Sequence, residues 1–153
     1  MKKDFFSFSQ LNGEYPELCE HIRCGTPTAV FGISQPHKYL IASMIDAPIV
    51  YITSDAVASR KAAENLATLS GKQVELLSAK DEVLLYRKAL SKDAFYRRLN
   101  GIHALQTGVP IVVAEIDALL QLFPKRLPTL DFIEGEELDF LSLPQKLTQM
   151  GYA

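Results

Sequence analysis

Short runs of β-branched and aliphatic residues alternate along this chain with stretches of helical period, and that alternation restricts the fold more than any other feature. Residues 28–31, 48–52, 74–77 and 110–113 read as strands, with 48–52 apolar enough to be covered on both faces. Between them lie helical patterns. Residues 16–23 start at Pro16 and place Leu18 and Ile22 on one side, and residues 37–46 follow the first strand. After the second strand, Ser54 or Asp55 is placed to cap a helix carrying Ala58, Ala62, Leu66 and Leu69, which Gly71 ends. Residues 92–107 put Phe95, Leu99, Ile102 and Leu105 on one side and stop at Gly108; residues 116–122 stop at Phe123-Pro124. Strand and helix in this order predict adjacent strands of a mainly parallel sheet, joined by right-handed crossovers, with helices on both faces.

The turn after the first strand has the outline of a phosphate loop. Gly32-Ile33-Ser34-Gln35-Pro36-His37-Lys38-Tyr39 sits between strand and helix, where a working loop has Gly, four residues, Gly-Lys and then Ser or Thr. Gly32 and Lys38 hold the first-glycine and lysine positions. His37 replaces the second glycine, so a side chain intrudes where backbone N–H groups would close on phosphates. Tyr39 replaces the compact hydroxyl that would meet a metal. Pro36 removes a further donor. Lys38 beside a helix N-terminus suits weak anion contact, not catalysis. The shape of a nucleotide site is kept without its chemistry.

Bulk properties add exclusions. Sixteen basic against eighteen acidic residues, a net charge of −2, give no electrostatic footprint for nucleic acid. Apolar runs are too short to cross a bilayer, and Met1-Lys2-Lys3-Asp4-Phe5-Phe6 leads into polar residues instead of a signal-peptide core. Cys19 and Cys24 have no second ligand pair, which argues against zinc and for plain thiols in a reducing cytoplasm.

Other candidate residues have plain readings. Glu115 and Asp117 imitate an acidic metal motif, but Asp117 is simply favoured in the first turn of a helix. Arg97, Arg98 and His103 on residues 92–107 suggest a solvated face. After Pro124 the composition changes, and Leu127-Pro128 marks a boundary between residues 1–126 and 127–153. Residues 129–133 and 137–140 are expected to pair as a hairpin across Glu134-Gly135-Glu136, with Ser142 capping a helix over 143–149. Leu130, Phe132, Leu138, Phe140 and Leu147 would anchor this tail. Its acidic run reads as solvated charge, with partner recognition the alternative.

Three stretches carry a family resemblance. They are Phe31-Gly32-Ile33-Ser34-Gln35-Pro36-His37-Lys38; Tyr96-Arg97-Arg98-Leu99-Asn100-Gly101-Ile102-His103-Ala104-Leu105 leading through Ile111-Val112-Val113-Ala114 to Ile116-Asp117-Ala118-Leu119-Leu120-Gln121-Leu122-Phe123-Pro124; and Ile133-Glu134-Gly135-Glu136-Glu137-Leu138-Asp139 with Leu147-Thr148-Gln149-Met150-Gly151-Tyr152. Together they resemble the N-terminal region of the bacterial transcription-repair coupling factor (Mfd), the part homologous to the excision-repair subunit UvrB. The resemblance spans nearly all of residues 16–152, and its middle stretch is the most specific.

It implies an α/β fold: a three-layer, mainly parallel sheet like a degenerate P-loop NTPase or helicase domain, with a small hairpin-helix tail that opens a UvrA-interaction domain. It also implies that Gly32, His37, Lys38 and Tyr39 are a relic, with no catalytic residue, cofactor or metal. Its partners would be UvrA, bound through a polypeptide longer than this one because the contact residues of the family fall after Ala153, and other domains of the same protein. Contacts to DNA and RNA polymerase would lie elsewhere, and the tail offers a surface for self-association. The rival reading is a small P-loop ATPase or kinase.

Overall fold

The computed structural model describes residues 15–80 and 92–150. The Met1-Lys2-Lys3-Asp4-Phe5-Phe6 start and the Gly151-Tyr152 pair lie outside the described residues. The elements run α1 (Tyr15–Arg23), α2 (Gln35–Met44), β1 (Ile49–Thr53), α3 (Ala56–Ser70), β2 (Val74–Leu77), α4 (Lys92–Thr107), β3 (Ile111–Glu115), α5 (Ile116–Leu120) and α6 (Leu143–Gln149). Both β1 and β2 pair parallel with β3, so the strand order is β1-β3-β2. Parallel neighbours cannot be joined by a tight hairpin, and the helices α3 and α4 occupy the connections.

The central strand explains the layering. All five residues of β3 are buried, and alternate side chains enter different cores. Ile111 and Val113 join Tyr39 and Ala42 of α2 and Ala62 and Leu66 of α3 in one cluster. Val112 and Ala114 join Leu77, Ile102 and Ala104 of α4 and Ala118 of α5 in the other. Helices therefore stand on both faces of the sheet. Cover is uneven, however. By register Val50 and Ile52 of β1 share the face of Val112 and Ala114, yet they are 47% and 54% exposed.

Helix boundaries follow local chemistry. Asp55 caps α3, its Oδ1 accepting from the N–H groups of Val57 and Ala58 at 2.9 Å each, and Gly71 closes the helix in the left-handed region at φ 62°. The α2 helix begins earlier than its apolar period suggests, because Pro36 fits a first turn whose N–H groups need no intrahelical partner. Conversely β3 begins at Ile111, since Pro110 has no N–H for the ladder; its carbonyl instead accepts from Ile49 N at 2.9 Å.

Several expectations need correction. Residues 28–31 form no strand, and Phe31 is 88% exposed. Strand propensity is realised only beside an aligned edge, and residues 28–31 pair with none of the three strands. The tail hairpin is likewise absent: residues 129–133 and 137–140 carry only a turn, with Glu136 N donating to Ile133 O at 3.2 Å. An isolated pair of short strands with exposed side chains has too little burial to persist. Leu130 and Leu147 are half-buried, but Phe132, Leu138 and Phe140 are exposed, so they do not anchor the tail. Ser142 makes no side-chain cap to α6; Asp139 Oδ1 accepts from Leu141 N and Ser142 N instead.

On α3 the buried line passes through Ser59, Ala62 and Leu66 and leaves Leu69 exposed. On α4 it passes through Arg98, Gly101, Ile102 and Ala104, leaving Phe95 and Leu105 outside.

Candidate functional site

The residues of the phosphate-loop outline part company in space. Gly32 takes φ 73°, a conformation that favours glycine, and leads through Ile33 to Ser34 at the start of α2. Gly32, His37 and Lys38 are exposed, whereas Tyr39 is 4% exposed and belongs to the core. Its ring lies 5.8 Å from that of Tyr51 on β1, and its hydroxyl accepts from Gln35 Nε2 at 3.3 Å. Burial, and secondarily the neighbouring Tyr39, raises the pKa of the Tyr51 phenol above its ordinary value. A metal-binding hydroxyl at position 39 would have to face the loop; this one faces the sheet.

Within the first turn of α2, Ser34 Oγ lies 2.6 Å from His37 Nδ1. Ser34 spends its hydroxyl there and makes no cap bond to the helix backbone. The imidazole that replaces the second glycine of a phosphate loop is thus folded onto the loop itself. Sequence reading singled out His37 and missed its partner, although a serine at a helix start three residues before histidine was a usable signal. What remains at the surface is the Lys38 ammonium at the first turn of a helix, which attracts anions as a point charge.

The other place to look is the carboxyl end of the strands, where open α/β sheets bind ligands beside loops that leave toward opposite faces. The loop after β1 enters α3 on one face, and the loop after β3 enters α5 on the other. Thr53 Oγ1 sits 2.5 Å from Ser59 Oγ, and Asp55 already occupies the first free N–H groups of α3. Hydrogen bonds from Ala58 N, then Ser54, then Val57 N hold the Asp55 carboxyl below its usual pKa.

At the end of β3, Glu115 is buried and accepts from Ala79 N. Asp117 is exposed in the first turn of α5. No group of three His, Cys, Asp or Glu gathers among the described residues.

Arg98 overturns the reading of a solvated basic face. It is buried, donates to Ser78 O at 2.9 Å and lies over the Phe123 ring at 5.2 Å. Desolvation lowers the pKa of its guanidinium, and the charge of Glu115 opposes that shift. Arg97 and His103 are exposed, as expected. Gln121, which nothing in the sequence marked, completes the arrangement: Lys80 N donates to its Oε1 at 2.7 Å and its Nε2 donates to Lys80 O at 3.2 Å.

Residues 78–80 are therefore held by side chains from α4, β3 and the end of α5. These polar groups bind the protein itself, and no buried side-chain nitrogen or oxygen among the described residues lacks a partner. Cys19 is half-buried, Cys24 is exposed and both are free thiols. No described helix is long and apolar enough to cross a membrane. No protein-family model, curated protein or solved structure matches the chain.

Proposed function

We propose that this chain is a non-catalytic scaffold, related to the UvrB-like N-terminal region of a transcription-repair coupling factor, that supports recruitment of UvrA and intramolecular control of a larger cytoplasmic protein. The observation that carries this reading is the fate of the phosphate-loop residues. Tyr39 is committed to the core against Tyr51, and His37 is tied to Ser34 in the first turn of α2. A loop arranged this way supports a sheet and leaves no room at its second-glycine position for a phosphate cradle. On this reading the sheet is a degenerate helicase-like domain and residues 127–153 open a UvrA-binding module.

The rival, a small P-loop ATPase or kinase, draws its support from Lys38, which is exposed at the start of α2. Phosphoryl transfer needs a phosphate cradle, metal ligands and a group that places the nucleophile, and Lys38 supplies none of these.

The deciding experiment is a calorimetric titration of UvrA into residues 1–153 and into a polypeptide continuing beyond Ala153. The scaffold reading expects weak or no binding to the short form and clear binding to the long one. Equal tight binding by both would place the recruiting surface within these residues. Failure of both would leave intramolecular regulation as the role.

A further inference from the structure

After α5 the chain does not leave the fold at once. Residues 121–127 form neither helix nor strand, and Gln121, Phe123 and Leu127 are the ones among them shielded from solvent. Each of the three has its own holder. The Gln121 amide closes two hydrogen bonds on the Lys80 backbone, accepting from Lys80 N at 2.7 Å and donating to Lys80 O at 3.2 Å. Phe123 lies under the Arg98 guanidinium at 5.2 Å, and Leu127 N donates to Gln106 Oε1 at 3.1 Å. Phe123 and Leu127 also pack against the core cluster that holds Leu77, Ile102 and Val112.

The spacing of these holders gives the path. Arg98, Ile102 and Gln106 follow one another at four-residue intervals and form one row along α4. From Arg98 to Gln106 the helix rises about 12 Å, and the chain from Phe123 to Leu127 spans about 13 Å when extended. Residues 123–127 therefore run nearly straight along that row, with Pro124, Lys125 and Arg126 exposed between the two apolar anchors.

We propose that residues 121–127 are a releasable strap, which lifts from the face of α4 and α5 and uncovers the second core while the sheet, α2 and α3 stay folded. Its polar ties lie at the surface, where water replaces them at little cost, and two partly buried apolar side chains supply the rest of its grip among the described residues. What lies beneath is held independently. Arg98 keeps its bond to Ser78 O, Gly101 sits against the backbone of Leu76 and Leu77, and Val112 and Ala114 belong to the strand that is paired on both edges. The other core, with Tyr39, Leu66 and Val113, is on the opposite face of the sheet. Segments with few buried contacts and exposed hydrogen bonds open at a fraction of the global unfolding free energy.

From Leu127 the chain passes directly into residues 128–150, where α6 has no buried residue. A displacement of that tail is carried along the chain to Leu127 and Phe123 first. The strap is thus a conformational device at the junction of tail and core, and it holds whether or not the tail recruits UvrA.

Lys125 and Arg126 lie within the strap, so trypsin reads its opening: cleavage of a transiently opened segment tracks the open population. Cleavage after these two residues in the native chain, followed by mass spectrometry, is compared with cleavage of a free peptide of residues 119–132. The native chain should be cut more slowly by about tenfold or more, at a rate nearly flat in low urea. Gln106→Ala, at an exposed position, should speed cleavage roughly threefold without moving the thermal midpoint, and Phe123→Ala should speed it further. In both variants the amides of α5 should exchange faster and those of α3 should not. Cleavage as fast as in the free peptide would show that nothing holds the strap. Cleavage that rises with urea as steeply as global unfolding, or that both variants leave unchanged, would show that it does not open by itself.

Discussion

A methyl group on Gly101 would lie 2.6 Å from the carbonyl oxygen of Leu76 and 2.7 Å from Leu77 Cα. Glycine within a helix ordinarily costs about 1 kcal/mol against alanine. Here it lets α4 rest directly on the backbone of β2. Alanine must push the helix off the strand, so Gly101→Ala is expected to destabilise the fold by roughly 1–3 kcal/mol despite its better helix propensity. Urea unfolding measures this, and a midpoint equal to or above wild type would show that α4 does not rest on β2. The same close approach turns Arg98 inward, toward Ser78 O. A charged residue in a helix reads as surface, and nothing local in the sequence reveals a carbonyl waiting twenty residues upstream.

Among the elements, those with local causes were legible and those with distant causes were not. The α3 helix was readable from both ends because Asp55 and Gly71 act within one turn of their own positions. Runs such as Ile111-Val112-Val113 were readable because burial on both faces demands uninterrupted apolar residues. Residues 28–31 are also largely apolar yet form no strand, since pairing depends on which edge lies beside them. Of the line Phe95, Leu99, Ile102 and Leu105, Ile102 is buried and Leu99 half-buried, whereas the contact of Gly101 with β2 turns the buried face of α4 away from Phe95 and Leu105. In the candidate site, the helix carrying Lys38 and the local Ser34–His37 contact had signals in the sequence, whereas the missing strand before Gly32 and the burial of Tyr39 were set by packing.

The α3 cap also has a pH signature. Because the Asp55 carboxyl is held below its ordinary value in the folded state, its contribution is present above the unfolded value of 3.8 and is lost as pH falls through the folded value. Asp55→Asn, which keeps a cap without the charge, should flatten this part of the acid-unfolding profile, while Asp55→Ala should lower Tm at neutral pH. Superimposable acid profiles for wild type and Asp55→Asn would show that the cap has no linkage to pH.

For the whole molecule, the expectation with most reach is that magnesium-ATP does not bind specifically. Calorimetry should give no saturable heat, and Lys38→Ala should change nothing. Stoichiometric micromolar binding lost in Lys38→Ala would instead make the chain a nucleotide enzyme or sensor.

The fastening of residues 78–80 has a further consequence, in the order of events during folding. Its three ties span 20, 36 and 41 residues of sequence, from Arg98, Glu115 and Gln121 respectively. Such long loops close only after nearer contacts have formed and β2 has met β3. Ties made after the rate-limiting barrier slow escape from the native state and do little for the approach to it. Stopped-flow measurements on Gln121→Ala should therefore show an unfolding rate several-fold faster and a folding rate nearly unchanged; a slowed folding limb would place the tie before the barrier. The side chains that hold residues 78–80 against the ends of β2 and β3 would then serve as a brake on unfolding, giving the fold a long native lifetime.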